Sequence, residues 1–558
     1  MNETLEAQVL IVGAGPVGLT LAIDLAQRGV DVLVAEIRHR GEPPSVKSNH
    51  VSARSMETFR RLGLAQKVRN AGLPADYPND VAYRTSFTGL ELSRIPIPAR
   101  QDRYTATGGP DTWWPTPEPP HRINQLFLEP IIFDHAAQTP GLRIINRLRI
   151  DDFGQDTEGV QAKGVCLDTG NEIRIDCQYL IGCDGGRSGV RKKIGAKLEG
   201  MEVVARVQST YVRAPSLLSL TPCKPAWATF SLNPRRSGNV YAIDGKQTWL
   251  VHNYLKPQET FDSVDRDRSL RDILGVGADF GYEILSKEDW TGRRLVADRF
   301  RDRRVFICGD ASHLWVPMAG YGMNAGIADA MNLSWLLAGH LQGWMDEAAL
   351  QAYEEERRPI TEQVSKFAMM HSFSLEKERQ RIPEGLEEAG EKGDALRGEV
   401  GKALYELNVQ QYCCAGLNFG YFYDRSPLIA YDGEQPPGYT MSDFTTSTVP
   451  GCRTPHLWLK DGRSLYDAMG QGYTLLRRDP TIDVQRLLDA ASSRGLPLTL
   501  IDLDTEESGT LYPEPLVISR PDQHIAWRGT GLPSDPLALI DLLRGVGAKA
   551  SETHTRAA

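Results

Sequence analysis

Apolar and polar positions along the chain change their period several times, and each change marks an element. A short β-branched run, Val9 to Val12, is followed by helical spacing from Leu19 to Gln27, a stop at Arg28-Gly29, and a second apolar run, Val32 to Ala35. This predicts a βαβ unit over residues 7–37. Further helices are predicted near Ala53 to Leu62 (ARSMETFRRLG) and from Asn124 through LEPIIFDHAAQ. Strand-like segments then alternate with turns from Leu142 to Ile181. Between 201 and 290 the character changes: QSTYVRA, AWATFSLN, NVYAIDG and QTWLVHNYL are β-branched or aromatic runs separated by Gly, Pro, Asn and Asp. That pattern predicts an antiparallel sheet inserted as a separate layer. Alternating α and β patterns return at Arg303 to Asp310 and lead into a long helix from about Asn324 to Gly343. Residues 344–412 are helical and strongly charged, as expected of a solvated helical cap. The stretch 426–452 is rich in Pro, Gly, Ser and Thr and reads as a linker. Beyond it YTLLRR, VQRLLDAASSRG, PLTLIDLD, LVISRPDQHIAWRG and LALIDLLRGVG predict a compact α/β unit.

At 558 residues the chain is too long for one ordinary core. The expected division is 1–200, with an excursion toward the substrate side near 80–115, then the inserted sheet at 201–290, a return at 291–425, the linker at 426–452 and a last domain at 453–558. Hydrophobic residues make up 41% and charged residues 24%, with a net charge of −9. An acidic balance argues against a nucleic-acid partner. No apolar stretch reaches the roughly 18 residues of a membrane span, and the start lacks a basic leader region. The eight cysteines (Cys166, Cys177, Cys183, Cys223, Cys308, Cys413, Cys414, Cys452) form no CxxC pair. They read as small buried hydrophobes of a cytoplasmic protein, and no metal site is expected.

Three motifs carry chemistry. Gly13-Ala14-Gly15-Pro16-Val17-Gly18 sits between a strand and a helix. Gly13 permits the turn, Gly15 lets a pyrophosphate approach, and Gly18 lets helix and strand pack. The helix N-terminus offers bare N–H groups and a positive dipole. The glycine pattern alone is weakly specific; Glu36, ending the next strand where a ribose would lie, strengthens it. The second motif is Cys183-Asp184-Gly185-Gly186-Arg187-Ser188-Gly189-Val190-Arg191, after the strand YLIG. The third runs from Arg304 through Cys308-Gly309-Asp310-Ala311-Ser312-His313 to Pro317-Met318-Ala319-Gly320-Tyr321-Gly322-Met323-Asn324. Asp310 ends a strand at the face where open α/β sheets bind ligands, and the small residues after it lead to a helix N-terminus that can stabilise negative charge.

In order and content these motifs resemble the single-component FAD-dependent aromatic hydroxylases, the group of p-hydroxybenzoate hydroxylase and phenol hydroxylase. The likeness covers about residues 5–370. The tail from about 440 resembles the thioredoxin-like domain of the larger members, without a CxxC. The resemblance implies an α/β fold: a Rossmann-like FAD-binding domain, an inserted mainly antiparallel β-sheet substrate domain and a C-terminal thioredoxin-like domain. It implies that Gly13, Gly15, Pro16, Val17, Gly18 and Glu36 hold the ADP half of FAD. Arg54 would meet the pyrophosphate, Gln125 and Asp310 the ribityl chain, and Pro317, Gly322, Met323 and Asn324 the flavin edge. Asp184 and Arg191 would belong to a motif serving both FAD and NAD(P)H. The implied reaction uses NAD(P)H, with NADPH the commoner choice, and O2 to hydroxylate an aromatic ring through a C4a-hydroperoxyflavin. The alternative is a Baeyer–Villiger or epoxidising oxygenation of a polycyclic or polyketide substrate. A homodimer is implied by the family alone.

A phenol reacts faster as phenolate, so a base is expected near the ring. Asn49 aligns with the position that carries a base in some relatives and cannot serve; His50, one position on, is the candidate, against a packing role. In the inserted sheet Tyr241, His252 and Tyr254 are candidates for a phenol oxygen, with His252 and Tyr254 on one strand face. Ordinary sheet packing is the competing reading. Trp113 and Trp114 either line the same cavity or anchor a loop.

Overall fold

The structure, a computed structural model, describes residues 3–316 and 320–547. Pro317 lies outside the described residues. The opening unit is β1 (Glu3–Val12), α1 (Pro16–Gln27) and β2 (Val32–Glu36). All five residues of β2 are buried, because helices cover both faces of the parallel sheet and no alternation is needed. Next come α2 (Ala53–Arg61), capped by Ser52, and α3 (Ala65–Arg69), then β3 (Val81–Arg84) and β4 (Glu91–Ile95), which leave this domain. The chain returns through α4 (Gln125–Ala136), capped by Asn124, and continues with β5 (Leu142–Asn146), β6 (Leu148–Gln155), β7 (Val160–Cys166), β8 (Glu172–Gly182) and α5 (Gly189–Lys193). β8 lies parallel to β1 from Glu3 to Val12, which is why β1 is longer than its apolar run. β7 pairs with the first half of β8 only.

The second sheet uses β9 (Leu198–Arg213), β10 (Ala228–Ser231), β11 (Gly238–Ala242) and β12 (Thr248–Tyr254), then, after α6 (Arg266–Leu274), β13 (Glu283–Ala297). Its makeup departs from a sheet confined to 201–290. β10 pairs parallel with β3, so the excursion strands β3 and β4 extend the sheet on one side. After β14 (Arg301–Asp302) and β15 (Val305–Ile307), the short β16 (His313–Leu314) pairs with β13 on the other side. The order is β16-β13-β9-β12-β11-β10-β3-β4. β15 meanwhile lies parallel to Leu180–Gly182 of β8 and completes the first sheet, β14-β15-β8-β1-β2-β5.

α7 (Tyr321–Leu341) packs along α1 and is almost wholly buried. α8 (Ala352–Gln380), α9 (Glu391–Tyr412) and α10 (Ala415–Phe419) follow. The charged composition of α8 conceals a buried stripe at helical spacing: Tyr353, Glu356, Arg357, Ile360, Val364, Ala368 and Leu375. It is a wedge, not a solvated cap. Residues 426–452 contain no helix or strand, yet they are fastened down: Leu428, Ile429, Met441 and Val449 are buried, and Ala430 N–H donates to Ala526. The last domain comprises α11 (Leu465–Ala468), β17 (Tyr473–Arg477), α12 (Gln485–Ser493), β18 (Leu498–Asp502), α13 (Ser508–Leu511), β19 (Leu516–Ser519), β20 (Ile525–Gly529) and α14 (Pro536–Leu543), with sheet order β18-β17-β19-β20. No helix among the described residues is long and apolar enough to cross a membrane.

Candidate active site

The glycine turn lies where β1 meets α1. Gly13 adopts φ +107°, and a Cβ there would stand 2.4 Å from the Cys183 carbonyl oxygen. Only glycine satisfies both constraints. A Cβ on Gly18 would stand 2.1 Å from the Gly13 oxygen, so helix and turn touch directly. Gly15, by contrast, is the N-cap of α1 and has open space around it; Pro16 opens the helix and half-buried Val17 follows. Glu36 is buried at the end of β2. It accepts from Ala14 N–H at 2.6 Å and from Arg38 N–H at 2.9 Å, and the Arg38 guanidinium bridges it to Glu129, which also accepts from Gln125 Nε2 at 2.9 Å. The acid thus fixes the turn as well as facing it.

The second motif is held by its own side chains. Asp184 Oδ2 accepts from the N–H groups of Gly189 and Val190 at 2.7 and 3.1 Å, while its Oδ1 is buried without a partner. Arg191 donates to the carbonyls of Ala311 (3.0 Å) and Gly186 (2.9 Å), pinning the second motif to the third. Asp310 follows β15 with its side chain accessible; surrounding protein still raises its pKa by desolvation, opposed by His313 and Lys47. At the start of α7 Gly322 borders open space and Met323 is half-buried. Asn324 does more than expose a backbone N–H: its Oδ1 accepts from Ser52 N–H at 2.9 Å, and its Nδ2 donates to the carbonyls of His50 (3.1 Å) and Gly320 (2.6 Å). His313 pairs with Asp329 at 2.7 Å, and Asp329 with Arg357 at 2.8 Å, all buried.

Two expectations change. Arg54 turns toward the C-terminal domain, where Nη2 reaches the Asp522 carbonyl at 3.5 Å; it lines a small cleft with Asn324, Tyr421 and Asp522. His50 is buried against Gly320, and its Nδ1 accepts from Arg122. Burial, then Arg122 and Arg103, push its pKa well below the usual histidine value. A neutral imidazole whose Nδ1 lone pair already receives a guanidinium proton is not a general base. Arg122 is the residue that reading the sequence missed, although it stands two positions before Asn124, where a helix is predicted to begin. Its guanidinium lies 4.5 Å from the Trp227 ring centre and 5.9 Å from that of Tyr412.

The Trp227 ring leads to the face of the second sheet, meeting Tyr241 at 5.4 Å, which meets His252 at 5.5 Å. Asn239 donates to Tyr254 (3.1 Å) and Tyr241 (3.4 Å) and accepts from Arg379 (3.2 Å), whose guanidinium sits 3.9 Å from the Tyr254 ring centre. Ser209 Oγ accepts from Trp290 Nε1 at 2.6 Å and faces His252 Nδ1 at 3.0 Å. Having accepted from tryptophan, the Ser209 hydroxyl still has its own proton to give, and giving it to Nδ1 sets the His252 ring proton on Nε2. Burial holds His252 neutral, its pKa lowered to about 4. Trp113 and Trp114 lie elsewhere, in a cavity of about 250 Å³ walled by Phe419, Phe444, Arg453 and Trp458.

Residues 6–368 match the family model described as an FAD binding domain, and residues 447–546 match that of the aromatic-ring hydroxylase C-terminal domain. The chain belongs to the FAD-dependent aromatic hydroxylases. It is 30% identical to the tetracenomycin B2 monooxygenase-dioxygenase of Streptomyces olivaceus, over 97% of this chain and 98% of that one. It is 29% identical to the phenol 2-monooxygenase of Pseudomonas sp., over 98% and 94%. The solved structure of the rebeccamycin biosynthetic enzyme RebC with reduced flavin superposes with a TM-score of 0.88 at 33% identity, covering 98% of this chain and all of that one. The residues present fit FAD: a bare helix N-terminus behind Gly15, an accessible carboxylate at Asp310, a buried unpartnered oxygen on Asp184 and open backbone at Gly322. This flavoenzyme is a monooxygenase.

Proposed function

We propose that this monooxygenase takes electrons from NAD(P)H, with NADPH favoured, and places one atom of O2 on the ring of a phenolic or related aromatic substrate. The observation carrying this reading is the aromatic path His50–Arg122–Trp227–Tyr241–His252, which spans from the N-terminus of α7 to the face of the second sheet. Bound FAD supplies hydride acceptance and oxygen activation. Gly13, Gly15, Gly18, Pro16, Val17 and Glu36 would hold its ADP half, and Asp184, Gln125 and Asp310 its phosphates and ribityl hydroxyls. The backbone of Gly322, Met323 and Asn324, at the positive end of α7, would face the flavin's polar edge. The sheet face of Tyr241, His252 and Tyr254 would orient the substrate and exclude water. With His252 and His50 both neutral, His252 Nε2–H is a hydrogen-bond donor to a substrate oxygen, and neither histidine removes its proton.

Purified protein should be yellow, and NADPH oxidation should be stimulated by particular phenols with a product heavier by one oxygen on the ring. A lactone product, or no stimulation across a broad panel of phenols, counts against the reading. Replacing Asp310 with Ala should release most of the FAD on gel filtration; a variant that stays yellow removes Asp310 from its assigned role.

A further inference from the structure

The cavity beside Trp113 and Trp114 belongs neither to the glycine turn nor to the face of the second sheet. Three parts of the chain wall it: the loop at 113–115, the stretch from Phe419 to Ser447, and the C-terminal domain from Cys452 to Trp458 with Tyr466. Of the ten tryptophans, Trp113 (67%) and Trp458 (50%) are the exposed ones, and both line this space. A single large apolar side chain left in water is ordinary; two indoles converging on one hollow are what a ligand surface presents. The neighbouring rings are braced. Trp114 meets Phe419 edge-on at 6.0 Å, Phe419 meets Phe444 at 5.8 Å, and Trp458 meets His456 edge-on at 5.2 Å. Rings held in this way can stack on a ligand at little cost in side-chain entropy. An apolar cavity of roughly 150 Å³ takes one benzene ring; this one, at about 250 Å³, has room for two fused rings.

The lining does not favour an anion. Arg453 is its guanidinium, and Glu57 already takes that charge through two hydrogen bonds of 2.6 and 2.7 Å, while the Tyr466 hydroxyl accepts from Nε at 3.1 Å. His456 is neutral, its pKa lowered to about 3 by burial and then by Arg453. Exposed Glu507 adds a negative charge. Tyr421 lines both this cavity and the cleft of Arg54 and Asn324, so a ligand here lies one side chain away from the start of α7.

We propose that this cavity is a second ligand site, separate from the substrate face, for a neutral planar molecule of two fused aromatic rings that lies among Trp113, Phe419 and Trp458. Tyr241, His252 and Tyr254 do not line it, so the site stands independently of the hydroxylase reading. It gives the C-terminal domain a part in ligand binding, because one indole comes from that domain and the other from the loop before α4.

The test uses the FAD-loaded full chain and two neutral probes, 2-methoxynaphthalene and its saturated counterpart 2-methoxydecalin, titrated by calorimetry and by quenching of tryptophan fluorescence. The wild type should hold methoxynaphthalene several-fold tighter than methoxydecalin, since a saturated ring cannot stack. Two variants attack the site in opposite senses. W113A/W458A strips its walls at side chains already half or more exposed, and T446W fills the space from an exposed position. Each should weaken one equivalent of methoxynaphthalene per chain roughly tenfold or more, whereas probe held at the substrate face stays, and the visible flavin band should not change. No binding by the wild type, equal binding of the two probes, or the full set of equivalents retained by T446W overturns the proposal. If W113A/W458A melts several degrees lower, T446W decides. A chain that hydroxylates no phenol yet loses one equivalent in T446W removes the hydroxylase reading and leaves this site.

Discussion

Single residues set limits that no neighbour can relax. Gly13 combines φ +107° with a carbonyl where its Cβ would be, so Gly13→Ala should cost about 2–3 kcal/mol in unfolding free energy and weaken FAD binding in parallel, both readable by urea titration of the apo and FAD-loaded forms. Histidines give a second prediction. His50 and His252 are uncharged in the folded protein, with His252 lowered to about 4, whereas in the unfolded chain each takes a proton near its ordinary value. The folded pKa is the lower one, so their contribution is intact above that ordinary value and is lost as pH falls. Stability should fall by ~1.4 kcal/mol per pH unit for each histidine on acidification, and His252→Gln should flatten the slope of urea midpoint against pH. At this scale the sequence was informative about Gly13, Glu36 and Asp310, because a turn, a strand end and a helix start are local events. It was silent about Arg122 and left His50 open between a base and a packing role, because their meaning depends on each other and on Trp227, more than a hundred residues away.

Elements are positioned by a few side chains that bridge chain segments. Asn324 ties the first turn of α7 to residues 50–52 with two hydrogen bonds and to the Gly320 carbonyl with a third. Asn324→Ala should cost about 2–3 kcal/mol, at about 1 kcal/mol per bond, and should speed amide exchange at Ser52 more than in β1. Asn324→Asp, which keeps only the acceptor, should restore the Ser52 bond and little else. The periodicity of the chain located α1, α2, α4 and α7 to within a few residues, since each buries a stripe of regular spacing. It placed the second sheet too narrowly. β3 and β4 join it through the parallel pair Ala228↔Val81, and a pairing between strands so distant in the chain leaves no local signature. The buried stripe of α8 was hidden for a different reason: two of its members, Glu356 and Arg357, are charged and therefore read as surface.

The whole molecule is fastened by buried ions across its domains. Arg520, from the C-terminal domain, pairs with Glu356 of α8 at 2.6 and 2.7 Å, both side chains fully buried, and Arg453 pairs with Glu57 of α2. Arg520→Met should lower stability by about 3–5 kcal/mol, because it strands two buried carboxylates, Glu356 and Asp522, whereas the double replacement Arg520→Met with Glu356→Leu should recover part of that loss. Calorimetry of the three proteins would show it, with the single variant melting in two steps if the C-terminal domain comes loose first. The first sheet carries a consequence for how the protein is made. β1 leaves the ribosome well before its neighbour β8, which ends at Gly182, and β15, which completes that edge, ends at Ile307. The carbonyl of Cys183 that closes over the glycine turn arrives with the end of β8. The nascent chain must therefore hold an apolar strand and an unfinished turn until Cys183 is made, and the strand that carries Asp310 to the cofactor site comes only with β15. Truncated chains ending before β15 should partition to chaperones or aggregates, and addition of FAD should not rescue them.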